Sequence, residues 1–516
     1  MSNCHIFTSN QHYAKIHLLN LLVLLAKGKA LVKGICRELC FLQMKTYLMK
    51  LKSIFTNSFG ILISRITGLG RDVFMASALG ASIWSDMFFV AFKLPNLFRR
   101  IFAEGAFTQA FMPSFIASKH KGVFATAIFL RFLLFLTAFS VLITFFPDPI
   151  TKLLAWGWDS ELIAQTSPMT AINFWYLDLI FIVTFLATLL QYKEHFATTA
   201  MATALLNIAM IAALWLYMKE DPKTVAYALS FAVLIGGLLQ VLVHLIAIKK
   251  FNLHKILLGG WKYRKTKDVK EEQKHFKSLF LPGILGNSTP QISAFIDTIL
   301  ATFLMTGSVS YLFYANRIFQ LPLAIIAIAT ATVLFPSVSK ALRNGQEVAA
   351  YANLNKAFWL LSFLLGASMI GGIVLAEPIV WILFERGKFG IAQTLETVSV
   401  LQMYMIGLLP FGLAKLFSLF LYASHRHMKA AKIAVYSLIT SVSASLLLMH
   451  PLGASGLALA GSLGGFVLFF FTVKEVGTDK FLAIIKSKKS LYFVVSMTLF
   501  YLLMYVLNNW LLSLIR

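Results

Sequence analysis

The chain has 516 residues, of which 59% are hydrophobic and 13% are charged, whereas a soluble protein carries about 25% charged residues. Its 46 Lys and Arg against 21 Asp and Glu give a formal net charge of +25. Together with a mean hydropathy of +0.77, these values exclude a soluble enzyme, a secreted disulfide scaffold and a soluble nucleic-acid binder.

Residues 1–48 differ from the rest of the chain. Their one apolar run, residues 16–26, is shorter than the roughly 20 residues that cross a bilayer, and all three cysteines lie in this region. Met49 precedes a more typical beginning of a membrane span. We therefore interpret residues 1–48 as an N-terminal extension produced by a mis-assigned start codon, with an interfacial helix or a weak signal-like segment as alternatives.

The rest of the sequence predicts an all-α polytopic membrane protein with about 13 transmembrane helices. The predicted spans are residues 53–79, 84–113, 124–147, 163–191, 197–218, 224–248, 278–305, 309–335, 357–384, 391–422, 430–449, 453–474 and 490–511. We expect four regions after the extension: an N-terminal six-helix lobe at 49–250, a basic cytoplasmic linker at 251–277, a C-terminal six-helix lobe at 278–475, and a loop with one extra helix at 476–516.

The distribution of basic residues predicts the orientation. If residue 49 is cytoplasmic, the cytoplasmic gaps hold 24 Lys and Arg, and the opposite gaps with the C-terminus hold 6. Cytoplasmic loops of membrane proteins are enriched in Lys and Arg. The N-terminus of the core is therefore predicted to be cytoplasmic.

The seventh predicted span contains Pro282, Gly283, Gly286 and Pro290. Helix-breaking residues at membrane depth are tolerated where the backbone lines a cavity or packs on protein. We therefore expect a broken helix here and two six-helix lobes around a central cavity. A channel is the alternative, but the sequence has no repeated filter-like segment.

The first two spans are unusually rich in charged residues. Asp86, Lys93, Arg100 and Glu104 follow one another at steps of 7, 7 and 4 residues, which places them on one helix face. Charges inside a membrane cost at least ~2.5 kcal/mol each, so they normally face a bundle interior or a water-filled cavity. This face is therefore predicted to line the cavity.

The cations in these spans outnumber the anions. The cations are Arg65, Arg71, Lys93, Arg99 and Arg100, and the anions are Asp72, Asp86 and Glu104. Arg317 adds a further cation in the eighth span. One hypothesis is internal pairing, of Arg100 with Glu104 and of Arg71 with Asp72 or Asp86. The other is a phosphorylated or otherwise anionic substrate, because the planar guanidinium donates two parallel hydrogen bonds to phosphate.

Asp297 is the main carboxylate of the second-half spans, and we consider it a candidate site for a coupling cation. A partner role for a lysine such as Lys415 is the alternative. The sequence contains no phosphate-binding G-x-x-x-x-G-K-[ST] motif and no H-E-x-x-H motif. We therefore predict no metal site, no cofactor and no ATP hydrolysis, with Na+ or the membrane potential as the candidate driving force.

Residues 64–115, and above all FFVAFKLPNLFRRIFAEGAFTQAF, closely resemble the signature of the MurJ (MviN) family. Its members are lipid II flippases of the multidrug/oligosaccharidyl-lipid/polysaccharide exporter superfamily. Further similar segments are PGILGNSTPQIS (282–293), YANRIFQLP (314–322), LFPSVSK (334–340) and FERGKFG (384–390). The resemblance extends over about residues 49–475.

This resemblance implies a V-shaped pair of six-helix lobes around a central cationic cavity in the bacterial inner membrane. It implies movement of lipid II, an undecaprenyl-diphosphate-linked disaccharide-pentapeptide, to the outer leaflet for peptidoglycan synthesis. The implied partners are lipid II, membrane lipids and the cell-wall synthesis machinery, and no nucleic acid. The protein would be a transporter without catalytic residues. The implied substrate-binding residues are Arg65, Arg71, Asp86, Lys93, Asn96, Arg99, Arg100, Glu104 and Arg317.

The chain also departs from the family pattern. Members typically have 14 helices, and only one span follows the twelfth here. Asn316 stands where relatives can carry Asp, so we expect Arg317 to be less neutralised. Because the family's cation site matches poorly, Na+ coupling is less favoured than the membrane potential. In the empty state, Asp86 and Glu104 are predicted to pair with the arginines and to release them on loading.

Three other functions remain open on the sequence alone. An exporter of another lipid-linked sugar, or a drug antiporter, would share the fold. A membrane glycosyltransferase or phosphatase would need a metal-binding acidic cluster or a large polar loop. A non-transporting scaffold of the division machinery would tolerate loss of Arg65, Arg71 and Arg317.

Overall fold

The computed structural model describes a set of ranges in which every regular element is a helix. These ranges are residues 56, 59–60, 62–99, 105–265, 268–424 and 426–515, with all side chains except those of 285–290, 328–329, 331–332 and 335. Residues 1–48, and with them the predicted extension, lie outside the described residues. The all-α class is confirmed for the described ranges.

The first half of the chain leads up to the basic linker. Its helices are α1 (residues 62–79), α2 (Ile83–Phe98), α3 (Phe107–Ala117), α4 (Lys121–Phe145), α5 (Pro147–Leu154), α6 (Ser160–Phe174), α7 (Tyr176–Tyr192), α8 (Ala197–Leu216), α9 (Pro222–Lys250) and α10 (His254–Tyr263).

The second half follows the linker. Its helices are α11 (Lys270–Ala301), α12 (Ser308–Pro322), a π-helical stretch (Leu323–Ile328), α13 (Ala329–Arg343), α14 (Glu347–Val374), α15 (Ala376–Phe384), α16 (Ile391–Ile406), α17 (Leu408–Ala423), α18 (His427–Val476), α19 (Thr478–Ile485) and α20 (Lys488–Ile515).

Side-chain caps fix the first residue of several helices. At α2, Ser82 and Ser85 form a reciprocal capping box. Asp159 and Asp221 accept hydrogen bonds from the first turns of α6 and α9. Such caps satisfy N–H groups that have no partner within the helix, so the loops that join these helices are held in one conformation.

Each predicted span has a helical counterpart among the described residues. Nine helical segments in these ranges are long and apolar enough to cross a membrane. One of them, α18, has 50 residues and a kink at Gly453, where the sequence predicted the boundary between two spans. The membrane class is therefore confirmed, whereas the count of about 13 spans and the limits of the lobes stay predictions.

The predicted break in the seventh span is wrong. α11 continues as one helix of 32 residues through Pro282 and Pro290, because membrane helices tolerate proline when neighbouring groups satisfy the freed carbonyls. The departure from α-helical geometry lies in the next span, where the π-helical stretch directly follows Pro322. Proline is a common cause of such irregularities.

α11 is shared between the two halves of the molecule. Its first turns pack against α3 and α4, where the ring of Phe276 lies 5.9 Å from those of Phe107 and Phe132. Arg131 of α4 donates a hydrogen bond to Gln273. α11 also packs against α18 of the second half. It therefore closes one wall of the space between the halves.

The two halves also meet at one end of the molecule, at residues 77–86, 302–310 and 385–393, which we call the contact end. The Lys388 N–H donates to the Ser77 carbonyl at 2.8 Å, and the Ala81 N–H donates to Gln393 Oε1 at 3.1 Å. Because most of these bonds use backbone groups, the halves approach each other closely here.

Candidate anion-binding cavity

A cavity of about 170 Å3 lies between α2 of the first half and α11, α12 and α16 of the second. Its charged and polar lining consists of Lys93, Asn96, Gln291, Asp297, Thr298, Asn316, Arg317, Gln320 and Tyr404. Aromatic side chains, among them Phe92 and Phe313, complete the walls. Few polar groups in a mostly apolar concave site are typical of a ligand-binding pocket.

Asp72 is the centre of an ion-pair network that reaches this cavity through Arg317, whereas Asp72 and Arg71 themselves are not among the residues that line it. Its carboxylate is fully buried and lies between two guanidinium groups, that of Arg71 beside it and that of Arg317 from α12. Arg71 Nη2 is 2.6 Å from Oδ1, and Arg317 Nε is 2.7 Å from Oδ2. One carboxylate thus neutralises two arginines only in part, and it links the first half of the chain to the second.

A glycine on α1 makes room for the arginine of the second half. Gly68 lies one turn before Asp72, and a Cβ there would lie 2.6 Å from Arg317 Nη2. The small size of Gly68 thus allows close packing against Arg317. A side chain at this position would require the guanidinium of Arg317 to shift.

Asn207 of α8 orients Arg71, the arginine next to Asp72 on α1. Its Oδ1 accepts a hydrogen bond from Arg71 Nη1 at 3.2 Å. Its Nδ2 donates to the Ser64 carbonyl and to Thr67 Oγ1, both at 3.2 Å. The amide is therefore fixed by α1 on one side, and it holds Arg71 in place on the other.

Lys93 and Asp297 line the same cavity from opposite halves. Lys93 is the cation that acts electrostatically on Asp297. The alternative partner from the sequence, Lys415, is not among the residues that line this cavity. The stripe on α2 therefore faces the second half at Lys93, as its spacing indicated.

Asn96 and Arg99 form a pair on the last turns of α2. Arg99 Nε and Nη2 donate to Asn96 Oδ1 at 3.2 and 3.1 Å. Asn96 lines the central cavity, whereas Arg99 lines a separate small pocket among apolar side chains such as Phe107 and Phe132. The structure does not bring Arg99 into the central cavity, although Asn96 connects the two.

Three predicted site residues lie elsewhere or outside the described ranges. Arg65 is exposed, two turns before Asp72 and on the same face of α1, and it is not among the residues that line the cavity. Arg100 and Glu104 lie outside the described residues, so their predicted pairing is untested.

The prediction that Asp86 pairs with an arginine is wrong for this conformation. Asp86 is buried at the contact end, where its carboxylate accepts hydrogen bonds from the Gly307 N–H at 2.7 Å and the Ser310 N–H at 2.8 Å. The Ser310 hydroxyl donates a third bond at 2.5 Å. The first turn of α12 thus satisfies the charge, as helix N-termini do for anions, and no arginine is needed.

A further carboxylate is buried within the first half. Asp178 of α7 accepts hydrogen bonds from Thr137 Oγ1 at 2.7 Å and from Ser140 Oγ at 2.5 Å. Both hydroxyls belong to α4. Asp178 therefore joins two helices of the first half, away from the central cavity.

The arrangement can recognise an anion by exchange of partners. Each guanidinium has five N–H donors, and Asp72 and Asn207 engage only some of them. The side chain of Arg317 is 34% exposed, so it can reach a ligand. A phosphate group offers the same bidentate acceptor geometry as the carboxylate, and it can therefore compete with Asp72 for either arginine.

Sequence reasoning named Asp72 as a pairing partner of Arg71 but not as a residue of the site. It also predicted that Arg317 would be less neutralised because Asn316 precedes it. It did not name Asp72 as the partner that reaches Arg317 from the other half and neutralises it in part. The available signal was that Asp72 lies seven residues after Arg65, on the same face of α1.

Among the described residues, no three His, Cys, Asp or Glu side chains come together in a way that could hold a metal ion.

The comparisons with known proteins agree with one another. The family model described as "Lipid II flippase MurJ" matches residues 75–515. A Helicobacter pylori protein named probable lipid II flippase MurJ is 50% identical over 426 residues, which cover 81% of this chain and 92% of the relative. The Rhizobium meliloti protein of the same name is 35% identical over 421 residues, which cover 78% of this chain and 76% of that protein.

Solved structures show the same fold. A structure of lipid II flippase MurJ in an inward closed conformation matches with a TM-score of 0.71 and 24% identity, covering 89% of this chain and 99% of that one. An inward-facing multidrug resistance transporter of the MATE family matches with a TM-score of 0.63 and 15% identity, covering 84% and 99%. At these identities the likeness concerns the fold alone.

Proposed function

The chain belongs to the lipid II flippase MurJ family, and we propose that it moves lipid II from the inner to the outer leaflet of the bacterial cytoplasmic membrane. Lipid II is an undecaprenyl-diphosphate-linked disaccharide-pentapeptide, and its transfer supplies peptidoglycan synthesis. Family membership supports this cargo. The observation in the structure that carries the proposal is the buried Asp72, which is shared by two arginines from opposite halves.

The diphosphate of the cargo is the group that the arginines recognise. Arg71 and Arg317 each have N–H donors beyond those that Asp72 and Asn207 engage, and Lys93 supplies a further positive charge in the cavity that Arg317 lines. Phosphate oxygens match the planar fork of arginine. The apolar tail stays in the lipid, because its burial in a polar cavity would be unfavourable.

The ion pair that gates the cavity is the one between Asp72 and Arg317. In the empty cavity it links the two halves. A bound diphosphate replaces the carboxylate as the partner of Arg317, and the halves can then move relative to each other. The cycle is alternating access, in which the contact end opens after loading and the headgroup is released there. Arg65, Arg99, Arg100 and Glu104 are proposed to bind the remainder of the headgroup.

The membrane potential returns the empty cavity without ATP. Moving one elementary charge across 100 mV corresponds to ~2.3 kcal/mol. Arg71, Arg317 and Lys93 outnumber Asp72 and Asp297, which leaves one positive charge on the empty site. An inside-negative potential therefore favours the inward-facing state once the anion has left. A coupling cation at Asp297 is the second driving force to test.

The cytoplasmic side is the side opposite the contact end. The gaps on that side hold 24 Lys and Arg against 6 on the other, and this bias supports a cytoplasmic N-terminus of the core. The chain acts as a transporter and not as an enzyme, with membrane lipids and the cell-wall synthesis machinery as further partners.

The test measures how much lipid II reaches the outer face of cells depleted of this protein. Cells are rescued with the intact chain, with residues 49–516, with Arg317→Ala, or with Arg343→Ala as a matched control, since Arg343 is exposed at the end of α13. A lipid II-binding reagent that does not cross the membrane reports the outer pool. We expect rescue by the first two forms and by the control, and failure with Arg317→Ala.

The outcomes separate the competing functions. Unchanged outer lipid II on depletion would mean that lipid II is not the essential cargo, and the exporter of another lipid-linked sugar would take its place. Full rescue by Arg317→Ala would favour a scaffold role, because a scaffold needs no cation in the cavity.

A further inference from the structure

The helix α10 (His254–Tyr263) lies in the basic linker, directly after the long apolar helix α9. Residues 249–265 contain six Lys and Arg and no Asp or Glu. α9 is long and apolar enough to cross a membrane and ends with Lys249 and Lys250. α10 therefore begins where the chain leaves the bilayer.

One face of α10 is fixed to the first half. Leu253 is buried, Ile256 and Leu257 are partly buried against the core, and Gly260 is buried. A Cβ on Gly260 would lie inside contact distance of the Gly122 carbonyl at the start of α4. The two backbones thus touch, and this contact determines which side of α10 faces outward.

Three large apolar side chains of α10 are exposed, and two of them, Leu258 and Trp261, lie away from the packed face. Leu258 is 66% exposed, Trp261 50% and Tyr263 48%. Leu258 and Trp261 are three residues apart and so lie on one stripe. A short helix that is already packed on one side normally presents polar residues on the other, so this apolar stripe indicates a second contact.

Cations surround the exposed stripe. Lys255, Lys262, Arg264 and Lys265 are all exposed. The Arg264 guanidinium lies 3.8 Å from the centre of the Trp261 ring and donates to the Trp261 carbonyl at 2.9 Å. This contact keeps the charge beside the aromatic ring. Tryptophan and tyrosine at the level of lipid headgroups, with flanking Lys and Arg, are typical of a helix that lies in the membrane interface.

We propose that the exposed face of α10 binds anionic phospholipids of the leaflet in which α9 ends. Leu258 and Trp261 insert at the boundary between the headgroups and the acyl chains, and the four cations contact the lipid phosphates. The charge is complementary, because the segment is purely basic and anionic lipids attract such segments. The position at the end of a membrane helix favours lipid over an acidic protein partner. The inference is independent of which cargo the cavity carries.

The experiment uses the fluorescence of Trp261 in the full chain reconstituted in nanodiscs. Brominated lipids quench tryptophans that they touch. The chain has nine tryptophans, so the Trp261 signal is the difference between the intact chain and Trp261→Phe. Nanodiscs of phosphatidylcholine contain either brominated phosphatidylglycerol or brominated phosphatidylcholine at the same fraction.

We expect brominated phosphatidylglycerol to quench the Trp261 signal more strongly. The combined variant Lys255→Gln, Lys262→Gln and Lys265→Gln should remove this preference, because each cation near an anionic surface changes binding by about fivefold. The matched control is the double variant Lys219→Gln and Lys223→Gln, near the contact end. It should leave the stronger quenching by brominated phosphatidylglycerol unchanged. Equal melting temperatures of the variants exclude unfolding as the cause.

Each other outcome overturns part of the proposal. Equal quenching by the two brominated lipids would show that α10 touches the bilayer without selecting anionic headgroups. Quenching by neither would assign the exposed face to a protein partner. A preference that survives the triple substitution would assign headgroup selection to other cations.

Discussion

Substitution of Gly68 by alanine tests whether Arg317 must reach Asp72. The new methyl group would lie 2.6 Å from Arg317 Nη2, so the guanidinium has to move away from the carboxylate. The matched control is Gly70→Ala on the same helix, where the nearest neighbour of the new Cβ, Ile211 Cδ1, is 3.8 Å away. Both changes replace a glycine inside a helix by alanine. This replacement by itself stabilises a helix by about 0.5–1 kcal/mol.

The expected size of the effect follows from the burial of the pair. Asp72 is fully buried, whereas the Arg317 side chain is 34% exposed. Exposed ion pairs contribute about 0–1 kcal/mol, and breaking a fully buried one costs about 3–5 kcal/mol. Because Arg317 is partly exposed, solvent weakens this ion pair relative to a fully buried one. We therefore expect that breaking it costs about 1–2 kcal/mol. Since 1.4 kcal/mol is a factor of ten, the return of the empty cavity to the paired state should be disfavoured by about 5–30-fold, and transport should slow by up to that factor.

The assay combines transport with stability. Cells that depend on the variant are tested for lipid II at the outer face, and the purified proteins are compared by thermal melting. We expect Gly68→Ala to melt close to the unaltered chain, because the helix gain offsets the lost pair, but to transport slowly. Gly70→Ala should transport normally and melt slightly above the unaltered chain, because it gains helix stability without losing a contact. Equal transport rates for the two variants would refute the role of the pair between Arg317 and Asp72.

Three further predictions concern charges outside the cavity. Asp86→Asn should lower the free energy of unfolding by about 2 kcal/mol, because bonds from the first turn of α12 to a charged group are lost. Asp159→Asn, a nearly equivalent helix cap, should change melting little; equal melting of the two would contradict this reasoning. Burial, and to a smaller extent a nearby lysine, lower the pKa of His195 below its ordinary value. The unfolded state therefore binds a proton more readily than the folded state, so the contribution of His195 to stability is present above pH ~6.5 and is lost as the pH falls. His195→Gln should flatten the dependence of melting temperature on pH below that value, and an unchanged curve would count against it. Asp178→Asn should cost about 1–3 kcal/mol, because the amide keeps one acceptor oxygen and leaves one of the two hydroxyls without its partner, whereas the exposed Asp148→Asn should be nearly neutral in the same melting assay.

The sequence was sufficient for the helical architecture and for the charged face of α2. Apolar runs of bilayer length locate helices because a membrane leaves few alternatives for the backbone. The spacing of Asp86 and Lys93 predicted that one face of α2 lines the cavity; Lys93 does line it, whereas Asp86 lies at the contact end. Periodicity assigns a residue to a face, and this much follows from one helix alone.

The partners of the charged residues could not be predicted in the same way. Which helix faces which, and at what height, depends on packing between halves that are distant in sequence. Asp86 met the first turn of α12 instead of an arginine, and Asp72 met Arg317. Both contacts join residues more than two hundred positions apart, and no local pattern encodes them.

Proline showed the limit of a local rule. Pro282 and Pro290 predicted a broken helix, yet α11 continues through them, whereas Pro322 is followed by a π-helical stretch. The same residue type therefore gives different outcomes, because surrounding helices decide whether the freed carbonyls find other donors.

The contact end is closed by hydrogen bonds, many of them to backbone groups, whereas the cavity is held by ion pairs. Backbone hydrogen bonds such as those at Ser77 and Ala81 respond weakly to ionic strength, whereas the ion pairs of the cavity weaken as salt increases. Closure of the contact end should therefore be robust to the ionic environment, and natural variation there should be limited by side-chain volume and by the need for the hydrogen-bond acceptor at Asp86. Variation in the cavity should instead be limited by charge, so the two regions can diverge independently among relatives.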